Sequence, residues 1–373
     1  MSRFFLNKFL ISAFSFFLAI GLFSSSASFA KEAAFIVTTD YVAGSLAKMS
    51  TTKKQSVSKN LLLIHPDSVV KSYGKYVYVI QRLGADSIIV VNPKNPGHPI
   101  NEYSTGNGSN PQDMEFKNSK KAYISLYEEN KLLVIKPGTG NIKKKIDLSE
   151  FADGDGLVEM SEMVLVKNYL YVSLQRLNRD NFFSADNKSF VVVIDTDTDK
   201  ILDLDPNTEG NQAIELNGRN PGNMVYNKET GKIYIPLSGK FNTDDAFGGI
   251  EVINPETNTS EGMLINDEDL GGVTGVVAIG SSGTGYVTVS DSNFNYSIVC
   301  FSLSTGEVLN QLDNTGSGFI PNIAIDSNGF LYVADQTAEN PGIRIFDTKD
   351  NKLIKGPVDV GLPPYSITFI NIK

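Results

Sequence analysis

The sequence predicts an all-β protein, a seven-bladed β-propeller built from four-stranded antiparallel blades. Three observations indicate this fold: a segment rich in Tyr and Val recurs along the chain, a second apolar segment follows each copy, and a polar turn ends each second segment. A repeat of about 20 to 50 residues is typical of solenoids and propellers. We therefore expect strands throughout the chain after Ala30.

The recurring segment is predicted to be a β-strand. It combines Tyr with β-branched residues, and both favour strands. The clearest copies cover residues 75–79, 122–125, 170–173, 233–235, 285–289 and 331–333, and residues 35–38 form a weaker copy.

A variable loop and a second apolar strand follow each copy. These second strands end in turns rich in Asn, Asp, Pro and Gly, which supply turn geometry. They cover residues 87–91, 131–135, 190–194, 249–253, 297–301 and 342–346, with residues 45–49 as a seventh copy.

An inner strand opens each repeat, so that one repeat holds about four strands, as a propeller blade does. The first repeat, which begins at Phe35, has no inner strand before it, and the last strand, 365–370, has no further strands after it. We therefore expect the C-terminal strand to complete the N-terminal blade. This arrangement closes the ring and leaves no sheet edge exposed at the seam.

The Tyr-Val strand, followed by the turn that begins Ile194-Asp195-Thr196 and continues to Thr198, resembles the YVTN-type propeller family of bacterial envelope proteins. The resemblance covers nearly the whole chain after residue 30 and implies the propeller fold. It leaves the function open, because this family and its neighbours include ligand-binding proteins, surface proteins and enzymes.

Residues 1–30 are typical of a cleaved signal peptide. Arg3 and Lys8 precede an apolar run from residue 9 to residue 23, and small residues lead to Ala30. We expect cleavage after Ala30, which leaves residues 31–373 as one propeller domain in the periplasm or outside the cell. The apolar run is shorter than the roughly 20 residues that cross a bilayer, so no membrane insertion is expected after cleavage.

The charge of the chain excludes some partners. Loss of Arg3 and Lys8 changes the formal net charge from −9 to −11, which disfavours nucleic acids and anionic membranes.

Cys300 is the only cysteine, so no intrachain disulfide can form. We expect a monomer.

A polar or small residue precedes an apolar residue at the start of the inner strands. Inner strands line the central channel of a propeller, so these side chains are predicted to form a polar ring at the channel mouth. They could bind the amine or hydroxyl groups of a small ligand, or they could satisfy turn amides and channel waters. The polar ring comprises Ser68, Asp113, Glu162, Asn223, Asn322 and Ser366.

Some members of the polar ring carry oxygen atoms that suit a hard cation. Asp113, Glu162 and Asn223, with Asn322 beside them, could hold Ca²⁺, which accepts six to eight oxygen ligands. Such a cation could activate water, and the alternative function is therefore a metal-assisted hydrolase of the lactonase kind.

The loops between the second and third strands of the blades have unequal lengths, and several carry aromatic and Arg residues. Such residues anchor ligands at low entropic cost, although the phenylalanines could instead pack the loops onto the rim. The predicted ligand-binding residues are Arg82, Arg176, Phe182, Phe183, Phe241, Phe294 and Tyr296.

The chain has few residues and motifs of the kinds that are common in catalytic sites. His65 and His98 are the only histidines, and no Gly-x-Ser-x-Gly motif is present. The sequence therefore favours a non-catalytic ligand-binding or protein-interaction scaffold of the bacterial cell envelope. Its partner would be a small molecule or an envelope protein.

Overall fold

A computed structural model describes residues 31–52, 55–240, 247–280 and 282–372. They form seven antiparallel sheets arranged as the blades of a ring, which confirms the predicted seven-bladed β-propeller. Each blade has four strands in a row, and the third blade has one additional short strand. No helix among these residues is long and apolar enough to span a bilayer.

We number the blades I to VII and give their strands from the channel outward. Blade I contains β4 (Ser68–Tyr73), β5 (Tyr76–Gln81), β6 (Ser87–Val91) and β7 (Asn101–Ser104). Blade II contains β8 (Pro111–Asn118), β9 (Lys121–Leu126), β10 (Lys131–Lys136) and β11 (Asn141–Asp147). Blade III contains β12 (Met160–Val166), β13 (Tyr169–Leu174), β14 (Phe190–Asp195) and β15 (Lys200–Ile201), with β16 (Ile214–Glu215) also paired to β14.

The remaining blades follow the same order. Blade IV contains β17 (Val225–Asn227), β18 (Lys232–Ser238), β19 (Gly248–Asn254) and β20 (Thr259–Asn266). Blade V contains β21 (Val273–Ile279), β22 (Thr284–Ser290), β23 (Tyr296–Ser302) and β24 (Val308–Gln311). Blade VI contains β25 (Ile323–Ile325), β26 (Phe330–Asp335), β27 (Gly342–Asp347) and β28 (Lys352–Val358). Blade VII contains β29 (Pro364–Ile372), β1 (Lys31–Thr39), β2 (Gly44–Ser50) and β3 (Val57–Ile64).

In the described ranges, three short helices connect these strands. An α-helix covers Asp267–Leu270, and two 3-10 turns cover Ser149–Phe151 and Arg179–Asn181.

Blade VII closes the ring as the sequence predicts. Its inner strand β29 comes from the C-terminal end of the chain and pairs antiparallel with β1, with Ile370 opposite Ala33 and Ile367 opposite Ile36. The edge of β1 is thereby paired on both sides, since β2 occupies its other side.

The hydrophobic core lies between neighbouring blades. The middle strands of each blade bury both faces, which explains why their sequences are continuously apolar. Between blades V and VI, for example, Tyr286, Ile298 and Cys300 pack against Val333 and Phe346. Each blade therefore depends on its neighbours for burial of its apolar surface.

Some of the recurring tyrosines also tie one blade to the next. The Tyr171 hydroxyl donates a hydrogen bond of 2.5 Å to Oδ1 of Asn258, which lies in the outer turn of blade IV. The Tyr286 hydroxyl makes the same bond, 2.7 Å long, to Oδ1 of Asn351 in blade VI. Both acceptors have left-handed backbone conformations, with φ of 54° and 58°, which Asn adopts more readily than most residues.

Every inner strand begins at the same face of the ring, which we call the mouth face. In blade I, Ser68 pairs with Gln81, and Gln81 pairs with Ser87, so the loop after β5 lies at the end where β4 begins. The connections between consecutive blades reach the same face. The loops of the mouth face cover residues 40–43, 82–86, 127–130, 175–189, 239–240, 291–295 and 336–341.

Candidate binding face

Most side chains of the predicted polar ring are directed toward the next blade. Asp113 accepts a hydrogen bond of 2.8 Å from the backbone N–H of Met163 in blade III. Asn322 accepts one of 3.1 Å from Ile367 of blade VII.

Asn223 and Ser366 continue this arrangement. The Asn223 amide accepts from the N–H of Val277 at 2.9 Å and donates to its carbonyl at 2.8 Å. Ser366 accepts from the N–H of Val70 at 3.2 Å. These four ring residues therefore act as clamps between inner strands, as expected for the alternative in which the ring satisfies backbone amides.

Ser68 and Glu162 complete the predicted ring in different ways. The Ser68 hydroxyl is fully buried and donates to the carbonyl of His65 at 2.7 Å. Glu162 faces the channel, and its side chain is 28% exposed. It is the ring member whose carboxylate is best placed to meet a channel ligand.

The ammonium group of Lys71 on β4 lies close to three carboxylates in the channel. Its ammonium lies 2.8 Å from Oδ1 of Asp113, 3.5 Å from Oε1 of Glu115 and 3.9 Å from Oε2 of Glu162. Lys71 and Glu115 were not among the sequence-predicted site residues. Glu115 follows Asp113 by two positions, so the alternation of a strand could have indicated that both side chains share one side.

Two carboxylates of this channel cluster, Glu162 and Glu115, bind protons more tightly than exposed acids. Burial, together with the negative charge of Asp113, raises the pKa of Glu162 to about 8 against the opposing effect of Lys71. Burial likewise raises the pKa of Glu115 to about 7. For Lys71, burial alone would lower the pKa, but the three carboxylates outweigh it and hold the pKa above its usual value.

The residues predicted to hold Ca²⁺ are not brought together as a ligand set. The Lys71 ammonium lies between Asp113 and Glu162, and both polar groups of Asn223 bind the backbone of Val277. Within the described ranges, no group of three His, Cys, Asp or Glu side chains is arranged to hold a metal ion. A metal at the channel mouth remains a prediction from the sequence, and these contacts favour a lysine-neutralised cluster in its place.

Arg82 joins three blades at the mouth rather than extending into solvent. Its guanidinium binds Asp67 of the same blade, donates to Oε1 of Gln112 in blade II at 3.1 Å, and donates to the hydroxyl of Tyr365 in blade VII at 2.8 Å. All of these contacts are internal, and the binding role of Arg82 remains a prediction.

An arc of aromatic side chains continues from Arg82 around the mouth. Tyr41 packs edge-on against Tyr365 with ring centroids 6.3 Å apart, and its hydroxyl donates to Gln336 at 2.8 Å. Tyr296, a predicted site residue, packs against Phe319 at 5.2 Å. The sequence reasoning missed Tyr41 and Phe319, because neither stands in an unusually long loop.

The predicted residues of the long loop 175–189 lie together on the mouth face. Arg176 donates to the carbonyl of Lys188 at 2.6 Å and stacks over Phe190 with 4.4 Å between the guanidinium carbon and the ring centroid. Phe182 is 95% exposed and Phe183 is 51% exposed. Phe241, the remaining predicted residue of this region, lies outside the described residues.

Exposed aromatic residues are concentrated on the mouth face. Among the described residues, thirteen large hydrophobic side chains are exposed, and five of them are aromatic. All five aromatic residues lie in loops or connections of the mouth face, whereas most of the exposed aliphatic residues lie on the outer strands or next to them. The five are Tyr41, Phe182, Phe183, Phe294 and Phe319.

Four of these aromatic residues have left-handed backbone conformations. The φ angles are 67° at Tyr41, 52° at Phe182, 57° at Phe183 and 60° at Phe294. This conformation costs a bulky L-residue about 1–2 kcal/mol. Strained backbone is frequent at ligand clamps and binding loops, so this pattern is typical of a binding surface.

The fold resembles several solved propellers. No family model and no curated protein matches the sequence. A "putative 6-phosphogluconolactonase" of Bacteroides fragilis superposes with a TM-score of 0.67 at 14% identity, over 92% of this chain and 99% of that chain. A protein of the same description from Bacteroides uniformis gives 0.62 at 12% identity, over 91% and 100%. Apo AztD from Citrobacter koseri gives 0.55 at 13% identity, over 91% and 98%. Identities this low show a shared fold alone, and membership of the YVTN-type family remains a prediction.

Proposed function

We propose that this chain is an exported, non-catalytic binding protein of the bacterial cell envelope, and that its mouth face holds the ligand or partner. The observation that carries this proposal is that, in the described part of the chain, all five exposed aromatic side chains lie on that one face. Aromatic side chains contribute large contact areas at low entropic cost and are enriched at binding surfaces.

The test compares two double variants of the full chain, produced in its host and purified from the envelope fraction. Tyr41→Ala with Phe294→Ala alters the mouth face, where these side chains are 60% and 57% exposed. Ile142→Ala with Ile354→Ala is the control, because these residues are 51% and 50% exposed on outer strands.

Native mass spectrometry would identify what accompanies each protein. We expect a retained small molecule or protein with the unaltered chain and the control, and at least a tenfold lower occupancy with the mouth-face variant. A polypeptide mass beginning at Lys31 would agree with export and cleavage. Equal occupancy in both variants would contradict the placement on the mouth face, and recovery of the protein from the cytoplasm with residues 1–30 attached would contradict export.

A metal-assisted lactone hydrolase is the second candidate, and the names of two structural neighbours favour it. It requires a cation among Asp113, Glu162 and Asn223, where the Lys71 ammonium already pairs with Asp113 at 2.8 Å and lies 3.9 Å from Glu162. Lactone hydrolysis that needs Ca²⁺, stops with a chelator and is lost in Asp113→Asn would establish this candidate. Hydrolysis at the buffer rate with and without Ca²⁺ would remove it.

A further inference from the structure

The loop 175–189 is held in one conformation by bonds within itself. The backbone N–H of Asn178 donates to the carbonyl of Ser184 at 2.8 Å. The carboxylate of Asp186 accepts from the side chains of Asn178, Asn181 and Ser184 at 2.9 to 3.1 Å. These bonds lower the pKa of Asp186 to about 2. The carboxylate therefore stays charged and can accept all three hydrogen bonds within the loop.

Neighbouring blades anchor the same loop from both sides. Arg179 donates to Glu128 of blade II and to Glu159 before blade III, at 2.7 Å in each case. Glu159 is fully buried and also accepts from the N–H of Leu177 at 3.0 Å. Arg219, before blade IV, donates to the carbonyl of Ala185 at 2.9 Å.

This network presents two phenylalanine rings to solvent. The guanidinium carbon of Arg179 lies 5.4 Å from the centroid of the Phe183 ring, and Phe183 remains half exposed. Phe182 projects almost completely, with 95% of its surface exposed and a φ of 52°. A loop braced by three blades does not need an exposed, strained phenylalanine for its own folding. Its rigidity is instead what a pre-organised binding element needs.

The surroundings of Phe182 are acidic. The segments 127–130, 153–159 and 175–189 contain seven carboxylates and three cationic side chains. Glu129 and Asp180 are exposed members of these segments. This charge repels anionic lipid headgroups and nucleic-acid phosphates, and it attracts a surface that carries Lys or Arg.

We infer that the Phe182–Phe183 tip of this loop docks a protein partner that offers an apolar pocket to Phe182 and basic side chains to Glu129 and Asp180. This inference rests on the proposed function, since it names the partner class for one part of the mouth face. Most of the interaction comes from burial of the Phe182 ring. The acidic side chains select and orient a basic partner.

The experiment places a photo-crosslinking residue at the tip of the full chain in its host. Phe182→p-benzoylphenylalanine is expected to give one covalent adduct with a protein, attached near Lys or Arg residues of that protein. Leu63→p-benzoylphenylalanine is the matched control, because Leu63 is 81% exposed on the outer strand β3. The control should not give this adduct.

The captured partner is then purified, because capture alone does not decide the question. We expect Phe182→Ala to weaken its affinity at least tenfold, and Leu63→Ala to leave it unchanged. Glu129→Gln with Asp180→Asn should weaken binding several-fold at low ionic strength and much less at high ionic strength. Circular dichroism should be the same for all variants, since each altered side chain is exposed.

Three outcomes would overturn the inference: crosslinking to lipid, equal adducts at positions 182 and 63, or unchanged affinity in Phe182→Ala. The Tyr41→Ala, Phe294→Ala variant separates the two proposals. If it loses its partner while Phe182→Ala does not, the mouth face still binds and only the tip is wrong. If neither variant loses binding, both proposals fail.

Discussion

Lys71 determines the electrostatics of the channel. Asp113 is fully buried and accepts from the backbone of Met114 and Met163, and the bond to Met163 joins blade II to blade III. The Lys71 ammonium at 2.8 Å neutralises the Asp113 carboxylate. Glu162 receives little of that compensation, because it lies 3.9 Å from the same ammonium.

Glu162 should make the protein less stable as the pH rises. Its folded-state pKa of about 8 lies above its ordinary value of 4.5, so the folded chain binds the proton more tightly than the unfolded chain. The free energy of unfolding should therefore fall between about pH 4.5 and pH 8. Glu162→Gln should remove this loss and raise the free energy of unfolding at pH 8 by on the order of 1 kcal/mol, since the open channel screens part of the effect.

Urea unfolding at pH 5 and pH 8 would measure this difference. Glu129→Gln is a suitable control, because it makes the same chemical change at an exposed position. A Glu162→Gln variant with the same pH dependence as the unaltered protein would contradict the assignment of the effect to Glu162.

The sequence identified the positions of the polar ring but not the directions of its side chains. Inner strands are irregular near their starts: the pairing register shifts between Pro111 and Asp113, and again between Met160 and Met163. Such a bulge turns the following side chains away from simple alternation. Since the residue types at a bulge do not specify its position, the sideways direction of Asp113 could not be read from the sequence.

Hydrogen bonds from side chains, as well as packing, hold neighbouring inner strands together. These strands belong to different sheets and share no ladder of backbone hydrogen bonds, so the clamps satisfy backbone groups that would otherwise be unpaired in the interior. Asn223 satisfies two groups of Val277, whereas Asn322 satisfies one group of Ile367.

Substituting the two clamp asparagines should therefore have unequal effects. Leu has the same branched heavy-atom skeleton as Asn but cannot form these hydrogen bonds. We expect Asn223→Leu to lower the free energy of unfolding by about 2–4 kcal/mol, and Asn322→Leu by about 1–2 kcal/mol, because each orphaned backbone group costs roughly 1–3 kcal/mol. The midpoint of urea unfolding measures both values, and equal losses would contradict the clamp assignment.

The strands themselves were well predicted because their pattern depends on local chemistry. Each Tyr-Val segment became the second strand of a blade, and the final segment became the inner strand of blade VII. The partner of each tyrosine could not be predicted in the same way. Tyr171 and Asn258 are 87 residues apart, and they meet only after two blades have packed.

Closure by β29 makes the ring cooperative as a whole. Each blade buries its apolar surface against two neighbours, so an opening at blade VII exposes the core on both sides of it. The antiparallel pairing of β1 with β29 is the contact that prevents this opening.

Removal of residues 363–373 should therefore abolish cooperative unfolding and yield aggregates in size-exclusion chromatography. A synthetic peptide of the same residues, added during refolding, should restore the monomer. The control is a circular permutant that joins residue 372 to residue 31 through a short turn and opens the chain at the connection near Gly106 and Gly108. It should fold, since Lys31 and Ile372 already pair. A truncated chain that unfolds at the same temperature as the full chain would contradict this account.

The pairing of Lys31 with Ile372 also has a consequence for biogenesis. Strand β1 is synthesised first and its partner β29 last, so no closed ring can exist while synthesis is in progress. Until β29 is made, β1 presents an unpaired edge that could recruit strands from other nascent chains. A translocation route that keeps the polypeptide unfolded until its final strand has crossed would avoid this hazard. Proteolytic loss of that strand before closure would leave a chain that no longer reaches its folded state.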